Sequence, residues 1–351
     1  MIDLNKKSGN VTIYDVAKEA NVSVSTVSKI LNNSEHKFKE ETKAMVFETA
    51  EKLGYERLDS IISNDKKGSN KIAAIIPDII NPYYASLANG LENALRASGM
   101  EMIFHNSHNS RELEISIANQ LIKSDCSGAI IISICESYNH IKELIDAGIK
   151  VVAFEQYVDL DCNKVGFNYS KGGFMATEFL IKNGYSKIGF ISSPLSRKSR
   201  LQVFDGYKKA LAKNDVAFNE NFVKLAASED RNADIMYDYE NGIEQIDTMI
   251  KEKQLPEAIF CINDMTAIGV IRKLQDEGYN VPNDVSVIGF DNINFSYVIR
   301  PELTTIEQST YELGAMAAEI LIGSINDSNR GNISIVLEPK LIIRESVLIK
   351  K

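Results

Sequence analysis

The sequence lacks the features of a membrane, exported or disulfide-bonded protein. In 351 residues, no apolar run reaches the roughly 18 residues that cross a bilayer. The first ten residues, MIDLNKKSGN, contain no apolar stretch after their lysines, so no secretory signal is expected. The 4 cysteines are far apart and form no CxxC pair, which favours reduced, buried thiols. We therefore expect a cytoplasmic protein without a membrane partner.

An excess of positive charge is also missing. The net charge is −9, whereas a generic nucleic-acid binder needs a basic surface against the phosphates. Residues 1–60 hold 9 Lys+Arg and 10 Asp+Glu, a net of −1, which leaves −8 for the remainder. Composition alone therefore disfavours nucleic acid, although a confined DNA-reading segment on an acidic body stays open.

The usual signatures of catalysis are absent. No G-x-S-x-G, Walker loop or GxGxxG follows an apolar run, so an enzyme is disfavoured and no cofactor is predicted. His105 and His108 form an HxxH, but they lie in a polar segment without a nearby thiol or carboxylate pattern. We interpret that segment as a loop and predict no metal site.

What is present is a rhythm of short apolar runs and amphipathic helical stretches from Lys71 onward. The runs read IAAII, EMIF, GAIIIS, VVAF, KIGFI, AIFC and VSVIG. Helical spacing between them is clearest at 84–98, 170–183 and 265–277. Runs this uniformly apolar are typical of a parallel sheet buried on both faces. The fold class is therefore α/β. This part of the chain has about 280 residues, which is large for one core, and the same rhythm occurs on both sides of residue 166. We therefore predict two doubly wound lobes around a ligand cleft.

The N-terminal segment instead predicts short helices. In Thr12–Asn32, Thr12 and Asp15 have the spacing of a capping box, Asn21 suits a tight turn, and Ser23 caps a second helix. Two short helices joined by such a turn form a helix-turn-helix, completed by a third helix at 40–53. From periodicity alone, a small helical bundle that binds protein remains an equal alternative.

At this point the sequence resembles the LacI family of bacterial transcriptional regulators. Thr12–Asn32 and EKLGY (Glu51–Tyr55) resemble the start of its members. The similarity continues through IPDIINPYY, FCINDMTAIGV, VPNDVSVIGFDN, PELTTIEQSTYELG and LIIRES, in the family's order. The resemblance implies a three-helix helix-turn-helix domain at 1–57, a hinge or linker at 58–70 and an effector-binding and dimerisation domain at 71–351. Lobe 1 is expected at 71–166 and 298–326, and lobe 2 at 167–297 and 327–351.

The resemblance also implies which residues touch DNA. Family members read bases with the start of the second helix, where this chain has Val24, Ser25 and Lys29. Positions near the phosphates hold Tyr14, Ser23, Thr26, Ser28 and Asn32.

The hinge departs from the family pattern, because the position of the leucine that wedges into the minor groove holds Asn64. A shifted wedge supplied by Leu58, Ile61 and Ile62 and a hinge without a wedge both remain open.

In the cleft, the resemblance implies an aromatic platform at Tyr83 and Tyr84, and polar contacts from Ser107, Asn263 and Asp291. Arg197 and Arg200 would clamp a carboxylate or phosphate. Each assignment has an alternative without a binding role. The tyrosine pair would merely follow a helix cap, and the arginines would belong to a run of charges exposed to solvent. Asp264 is expected to cap its helix. Asn168 and Glu155–Gln156 replace family residues, so the effector is expected to differ from common neutral sugars.

These features predict a homodimeric regulator, a repressor, that binds a pseudo-palindromic operator and responds to a small carbohydrate-like effector. Control by a protein co-effector, as in catabolite-control proteins, is an alternative within the family. A ligand-binding protein without a DNA function is the alternative outside it.

Overall fold

The computed structural model describes residues 13–31, 38–53, 69–154, 160–228 and 236–350. The chain divides into two compact units, Met1–Ser69 and Asn70–Lys351. Among the described residues, no helix combines the length and apolarity that crossing a membrane demands.

The described residues of the first unit form three short helices. They are α1 (Ile13–Glu19), α2 (Val24–Leu31) and α3 (Glu40–Leu53). Asn21 adopts φ 51°, the left-handed conformation that the tight turn needs. The Ser23 hydroxyl accepts a 3.1 Å hydrogen bond from the Thr26 amide and so caps α2. Val16, Val27 and Val46, one from each helix, are fully buried in a common core, which confirms the predicted helix-turn-helix fold.

The second unit contains two parallel sheets, and the part built on each is called lobe 1 or lobe 2. The lobe 1 sheet has the order β11-β5-β4-β3-β1-β2 and the lobe 2 sheet the order β7-β6-β8-β9. The lobe 1 strands are β1 (Lys71–Ile76), β2 (Glu101–Asn106), β3 (Gly128–Ile131), β4 (Lys150–Phe154), β5 (Asn163–Phe167) and β11 (Ser334–Leu337). The lobe 2 strands are β6 (Ile188–Ser192), β7 (Val223–Leu225), β8 (Ala258–Cys261) and β9 (Ser286–Ile288). A separate antiparallel pair joins β10 (Thr305–Glu307) to β12 (Lys340–Ile342).

Helices cover the faces of the sheets, as the strand–helix rhythm predicts. In lobe 1 they are α4 (Pro82–Ala97), α5 (Arg111–Ile122), α6 (Asn139–Asp146) and α11 (Thr310–Asn326). In lobe 2 they are α7 (Tyr169–Lys182), α8 (Lys198–Lys213), α9 (Tyr237–Lys251) and α10 (Asp264–Asp276). Gly90 of α4 and Gly314 of α11 permit a very close helix crossing, because an added Cβ would lie 2.1 Å from the Tyr311 carbonyl oxygen or 2.2 Å from that of Leu87.

The C-terminal part of the chain divides between the lobes differently from the expectation. β11 pairs in parallel with β5, so Ser334–Leu337 belongs to lobe 1 and not to lobe 2. Leu303 and Ile306, expected in lobe 1, are buried in the two apolar clusters of lobe 2. The expectation was wrong at both places because strand pairing and core contacts depend on side chains distant in sequence.

Candidate functional site

The predicted DNA-reading helix, α2, presents a short polar surface. Lys29 is exposed, and Val24 and Ser28 are partly exposed. The Ser23 and Thr26 hydroxyls lie 2.7 Å apart, so both contribute to the helix start. The remaining predicted contacts lie outside the described residues or side chains: Tyr14, Ser25, Asn32, Leu58, Ile61 and Ile62.

A cavity of about 730 Å³ lies between the two lobes. Residues that follow the carboxyl ends of β1, β2 and β3 line it from lobe 1, and residues that follow β6, β8 and β9 line it from lobe 2. This is where parallel α/β sheets place their ligands, as the sequence predicts. Six of the seven predicted effector contacts line this cavity: Tyr83, Tyr84, Arg197, Arg200, Asn263 and Asp291.

Two tyrosines form the aromatic wall of lobe 1. The Asn81 side chain accepts a 3.0 Å hydrogen bond from the Tyr83 amide and so caps α4, which starts with Pro82. The Tyr83 and Tyr84 rings meet edge to face at 83°, with centroids 5.0 Å apart. Burial raises the pKa of both phenols, so both remain neutral and can donate hydrogen bonds. The pair therefore offers flat faces as well as two hydroxyl groups.

The two predicted arginines face the same cavity but make different contacts. Arg197, just before α8, donates from Nη1 to the Tyr84 hydroxyl at 3.2 Å and from Nη2 to Asn109 Oδ1 at 2.8 Å, and so bridges the lobes. Arg200 donates from Nη1 to the Pro194 carbonyl oxygen at 3.1 Å. Burial and the neighbouring Arg197 lower the pKa of Arg200 to about 10, so it remains a cation at neutral pH. Because both side chains make these contacts with other parts of the protein, they are not merely a run of charges exposed to solvent.

A carboxylate that the sequence analysis missed lies opposite the arginines. Asp238, in the first turn of α9, accepts a hydrogen bond from Asn81 Nδ2 of lobe 1 at 3.2 Å and one from the Ser193 hydroxyl at 3.0 Å. It forms the second polar bridge between the lobes. The only signal in the sequence is an acidic residue at a helix start, and many helices share that feature.

Asp291 occupies the floor of the cavity in lobe 2. Burial raises the pKa of its carboxyl well above the ordinary range, and the nearby Asp264 raises it further. Gln308 Nε2 donates to Asp291 Oδ1 at 2.6 Å. Asp291 therefore favours its protonated form more than an ordinary aspartate does, and in that form the carboxyl can donate as well as accept hydrogen bonds.

The structure corrects the expectation for Asp264. Its neighbour Asn263 caps α10, because Asn263 Oδ1 accepts a 2.8 Å hydrogen bond from the Thr266 amide. The buried Asp264 carboxyl instead accepts hydrogen bonds from the Ile293 amide at 2.9 Å and the Thr305 hydroxyl at 2.5 Å. Burial raises its pKa to about 7. Asp264 therefore organises the chain that leaves lobe 2, while Asn263 lines the cavity and caps a helix.

Ser107 is the predicted contact that the structure places elsewhere. Its side chain is fully buried behind β2 and is not part of the cavity wall, where Asn109 and Ser110 lie instead. Asn168 caps α7 and donates to Glu338 at 3.3 Å. Glu155 and Gln156 lie outside the described residues.

Comparisons with known proteins agree with this architecture. Residues 12–57 match the description "Bacterial regulatory proteins, lacI family", and residues 177–347 match "Periplasmic binding protein-like domain". Catabolite control protein A of Priestia megaterium is 32% identical over 339 residues, covering 96% of this chain and 99% of the relative. The HTH-type transcriptional repressor PurR of Histophilus somni (strain 129Pt) is 30% identical over 344 residues, covering 96% and 98%. A solved LacI family transcriptional regulator from Enterococcus faecalis V583 with bound ribose has a TM-score of 0.69 and 26% identity, covering 80% of this chain and 100% of that one.

The fold and the cleft define the class: a helix-turn-helix unit and a two-lobed ligand-binding unit in one chain. The chain belongs to the LacI family of bacterial regulatory proteins. It is a DNA-binding transcriptional regulator whose activity an effector controls.

Proposed function

We propose that this regulator is a homodimeric repressor that acts in the bacterial cytoplasm. Two α2 helices would read the half-sites of a pseudo-palindromic operator, because dimer symmetry is mirrored in the DNA. Two of its relatives support the regulatory role, since one is named a repressor and the other a catabolite control protein. The near-neutral charge of residues 1–60 predicts modest affinity for non-specific DNA, so operator binding would rest on the dimer and on base contacts.

The effector we propose is a small sugar derivative that carries a carboxylate or phosphate. The observation that carries this proposal is the partly buried Arg200 cation in the same cavity as the Tyr83–Tyr84 wall. A sugar ring would pack on the aromatic faces while its hydroxyls meet Asp291 and Asn263. The anionic group would meet the arginines, whose planar donors match carboxylate and phosphate oxygens. The related regulator with bound ribose supports the sugar class.

The interlobe hydrogen bonds suggest how the effector signal arises. The Arg197–Tyr84 bond joins the lobes through two groups that would bind the effector, and the Asn81–Asp238 bond joins them in the same cavity. An effector that replaces these bonds stabilises one lobe arrangement over another. The free-energy difference between its binding to the two arrangements limits the regulation it can exert.

A thermal-shift screen tests the effector class. We expect uronates or sugar phosphates to raise the Tm of the full-length chain more than the matched neutral sugars, because a ligand of the folded state stabilises it by mass action. Equal shifts from neutral and anionic members of each pair would contradict the anionic class.

Operator binding tests the DNA assignment independently. We expect Lys29→Ala to weaken binding of the selected operator by about tenfold, and Ser25→Ala to change base preference at one position, since a lost base contact costs about 1–3 kcal/mol. Binding-site selection followed by titration at fixed salt measures both effects. Unchanged operator affinity and base preference in both variants would show that α2 does not read the DNA.

A further inference from the structure

Three side chains with metal-binding chemistry converge in lobe 1, beside the cleft. Glu114 lies on α5, Cys135 follows β3, and His140 lies on α6. One potential ligand atom from each residue lies within 4.8 Å of the other two. The side chains are almost fully buried, with exposures of 0% for Glu114, 8% for Cys135 and 4% for His140. We call these residues the Glu–Cys–His triad.

The carboxylate of the triad is held in a fixed orientation. Glu114 Oε2 accepts a 2.9 Å hydrogen bond from the Ile134 amide, and Oε1 accepts one from the Ser133 hydroxyl at 2.5 Å. His140 Nε2 lies 2.8 Å from the same Oε1. Such supporting hydrogen bonds are what orients a carboxylate that binds a metal. A carboxylate, an imidazole and a thiol therefore meet at one prearranged point.

The charges of the triad favour a dication. Glu114 contributes a carboxylate that is held by the Ile134 amide and the Ser133 hydroxyl. A cysteine binds a metal ion as the thiolate, so Cys135 would lose its proton on binding. One divalent cation with a carboxylate, a thiolate and a neutral imidazole gives zero net charge, which lowers the cost of burial.

We propose that the Glu–Cys–His triad binds one Zn²⁺ ion. Zn²⁺ would displace the thiol proton to solvent as the bond to Sγ forms, and the bonds to His140 Nε2 and a Glu114 oxygen would complete a three-residue set. Imidazole and thiolate together favour Zn²⁺ over Mg²⁺ or Ca²⁺. Ser133 and Cys135 also line the effector cavity, so the ion would enter from the cleft and its fourth position would face the cavity.

A bound ion would make the structure of the effector cleft depend on the metal. It would join α5 and α6 to the loop after β3, and this loop contributes Ile134, Glu136 and Tyr138 to the cavity wall. The site does not depend on the identity of the effector, so it is tested without one.

The test uses the tag-free, full-length chain stripped with a chelator. Calorimetric titration with Zn²⁺ should show one site per chain with proton release, and Co²⁺ should give an intense sulfur-to-cobalt charge-transfer band. Cys135→Ser should abolish this band, and His140→Gln should weaken Zn²⁺ binding at least 10–100-fold, the loss typical of a removed supporting partner. Matched controls are Cys162→Ser, a buried thiol of the same lobe, and His108→Gln, and both should bind like the unaltered chain.

The Co²⁺ spectrum of the unaltered chain decides the proposal even if a triad variant fails to fold. The absence of a sulfur-to-cobalt band would overturn it. Folded Cys135→Ser and His140→Gln chains that bind Zn²⁺ with unchanged affinity would overturn it as well.

Discussion

The two lobes face the same cavity with different chemistry. Lobe 1 contributes the Tyr83–Tyr84 wall and neutral amides, while its acidic residues at the rim, such as Glu112 and Glu136, are exposed. Lobe 2 contributes ionisable groups inside the cavity, among them Arg200 and Asp291. Aromatic side chains line the cavity from both lobes, whereas the two arginines and Asp291 all come from lobe 2. An effector would need both halves, so its binding joins them.

The largest expected effect comes from Arg200, the partly buried cation of lobe 2. We expect Arg200→Met to lower affinity for the strongest anionic hit of the thermal-shift panel by about 100-fold or more, since loss of one member of a buried charged contact costs about 2–5 kcal/mol. Calorimetry measures the affinity. Lys198→Met is the matched control, because this exposed cation two positions earlier lies over the Tyr138 ring at 4.7 Å. Equal losses of ligand affinity in the two variants would show that Arg200 contributes no more to binding than the exposed Lys198.

The next effect probes the aromatic wall of lobe 1. We expect Tyr84→Ala to weaken the same ligand by about tenfold, the loss of one aromatic contact with its buried area. Tyr84→Phe keeps the ring and removes only the hydroxyl that accepts from Arg197, so its loss should be about threefold. Calorimetry on both variants separates stacking from the interlobe bond. A larger loss for Tyr84→Phe than for Tyr84→Ala would contradict a stacking role.

A smaller effect is expected where the lobes touch. Asn81→Ser keeps a side-chain oxygen that can cap α4 but removes the hydrogen bond to Asp238, which should loosen the lobe arrangement and lower ligand affinity about threefold. Small-angle scattering should show a larger radius of gyration for the variant without ligand. Asn89→Ala, at an exposed position of the same helix, is the control. An unchanged radius together with unchanged affinity would show that this bridge does not restrain the lobes.

The last expected effect is on stability and not on affinity, because the free energy of unfolding should depend on pH through Asp291. Its raised pKa means that the folded state holds a proton that the unfolded state releases above the ordinary aspartate pKa of about 3.9. The free energy of unfolding therefore falls as the pH rises from about 4 towards the raised folded pKa. Asp291→Asn mimics the protonated carboxyl, so its Tm should exceed that of the unaltered chain at pH 8, and the difference should grow with pH until Asp291 ionises in the folded state.

The two Tm values should converge as the pH falls to and below about 4, where the unfolded state of the unaltered chain also takes up the proton. A Tm difference that is constant from pH 4 to pH 8 would show that Asp291 is ionised in the folded state. Differential scanning calorimetry across this range measures it.

The features that were predicted correctly from the sequence depend on interactions between residues close together along the chain. Asn21 and Ser23 shape the turn of the first unit through their own backbone and through amides three positions away. Apolar runs such as Ile72–Ile76 become buried strands, and the cavity forms at their carboxyl ends. Tyr83 and Tyr84 reach it because Asn81 and Pro82 begin a helix there.

The residues that it missed depend on long-range contacts. Asp238 meets Asn81 across 157 positions of sequence, and no pattern local to either residue predicts the pair. The triad joins residues from α5, α6 and the loop after β3. No local motif marks these three residues, whereas the HxxH spacing of His105 and His108 is visible in the sequence.

The sequence by itself determined the helix-turn-helix fold, the two parallel α/β lobes and the edge at which the cleft opens, because periodicity, capping and turn chemistry act within a few residues. Only the tertiary structure decided that β11 joins lobe 1, that Ser107 is buried away from the cavity and that Asp238 faces Asn81. These outcomes depend on strand pairing and packing between segments more than 100 positions apart or on burial by the completed fold, and both arise only when the whole core has formed.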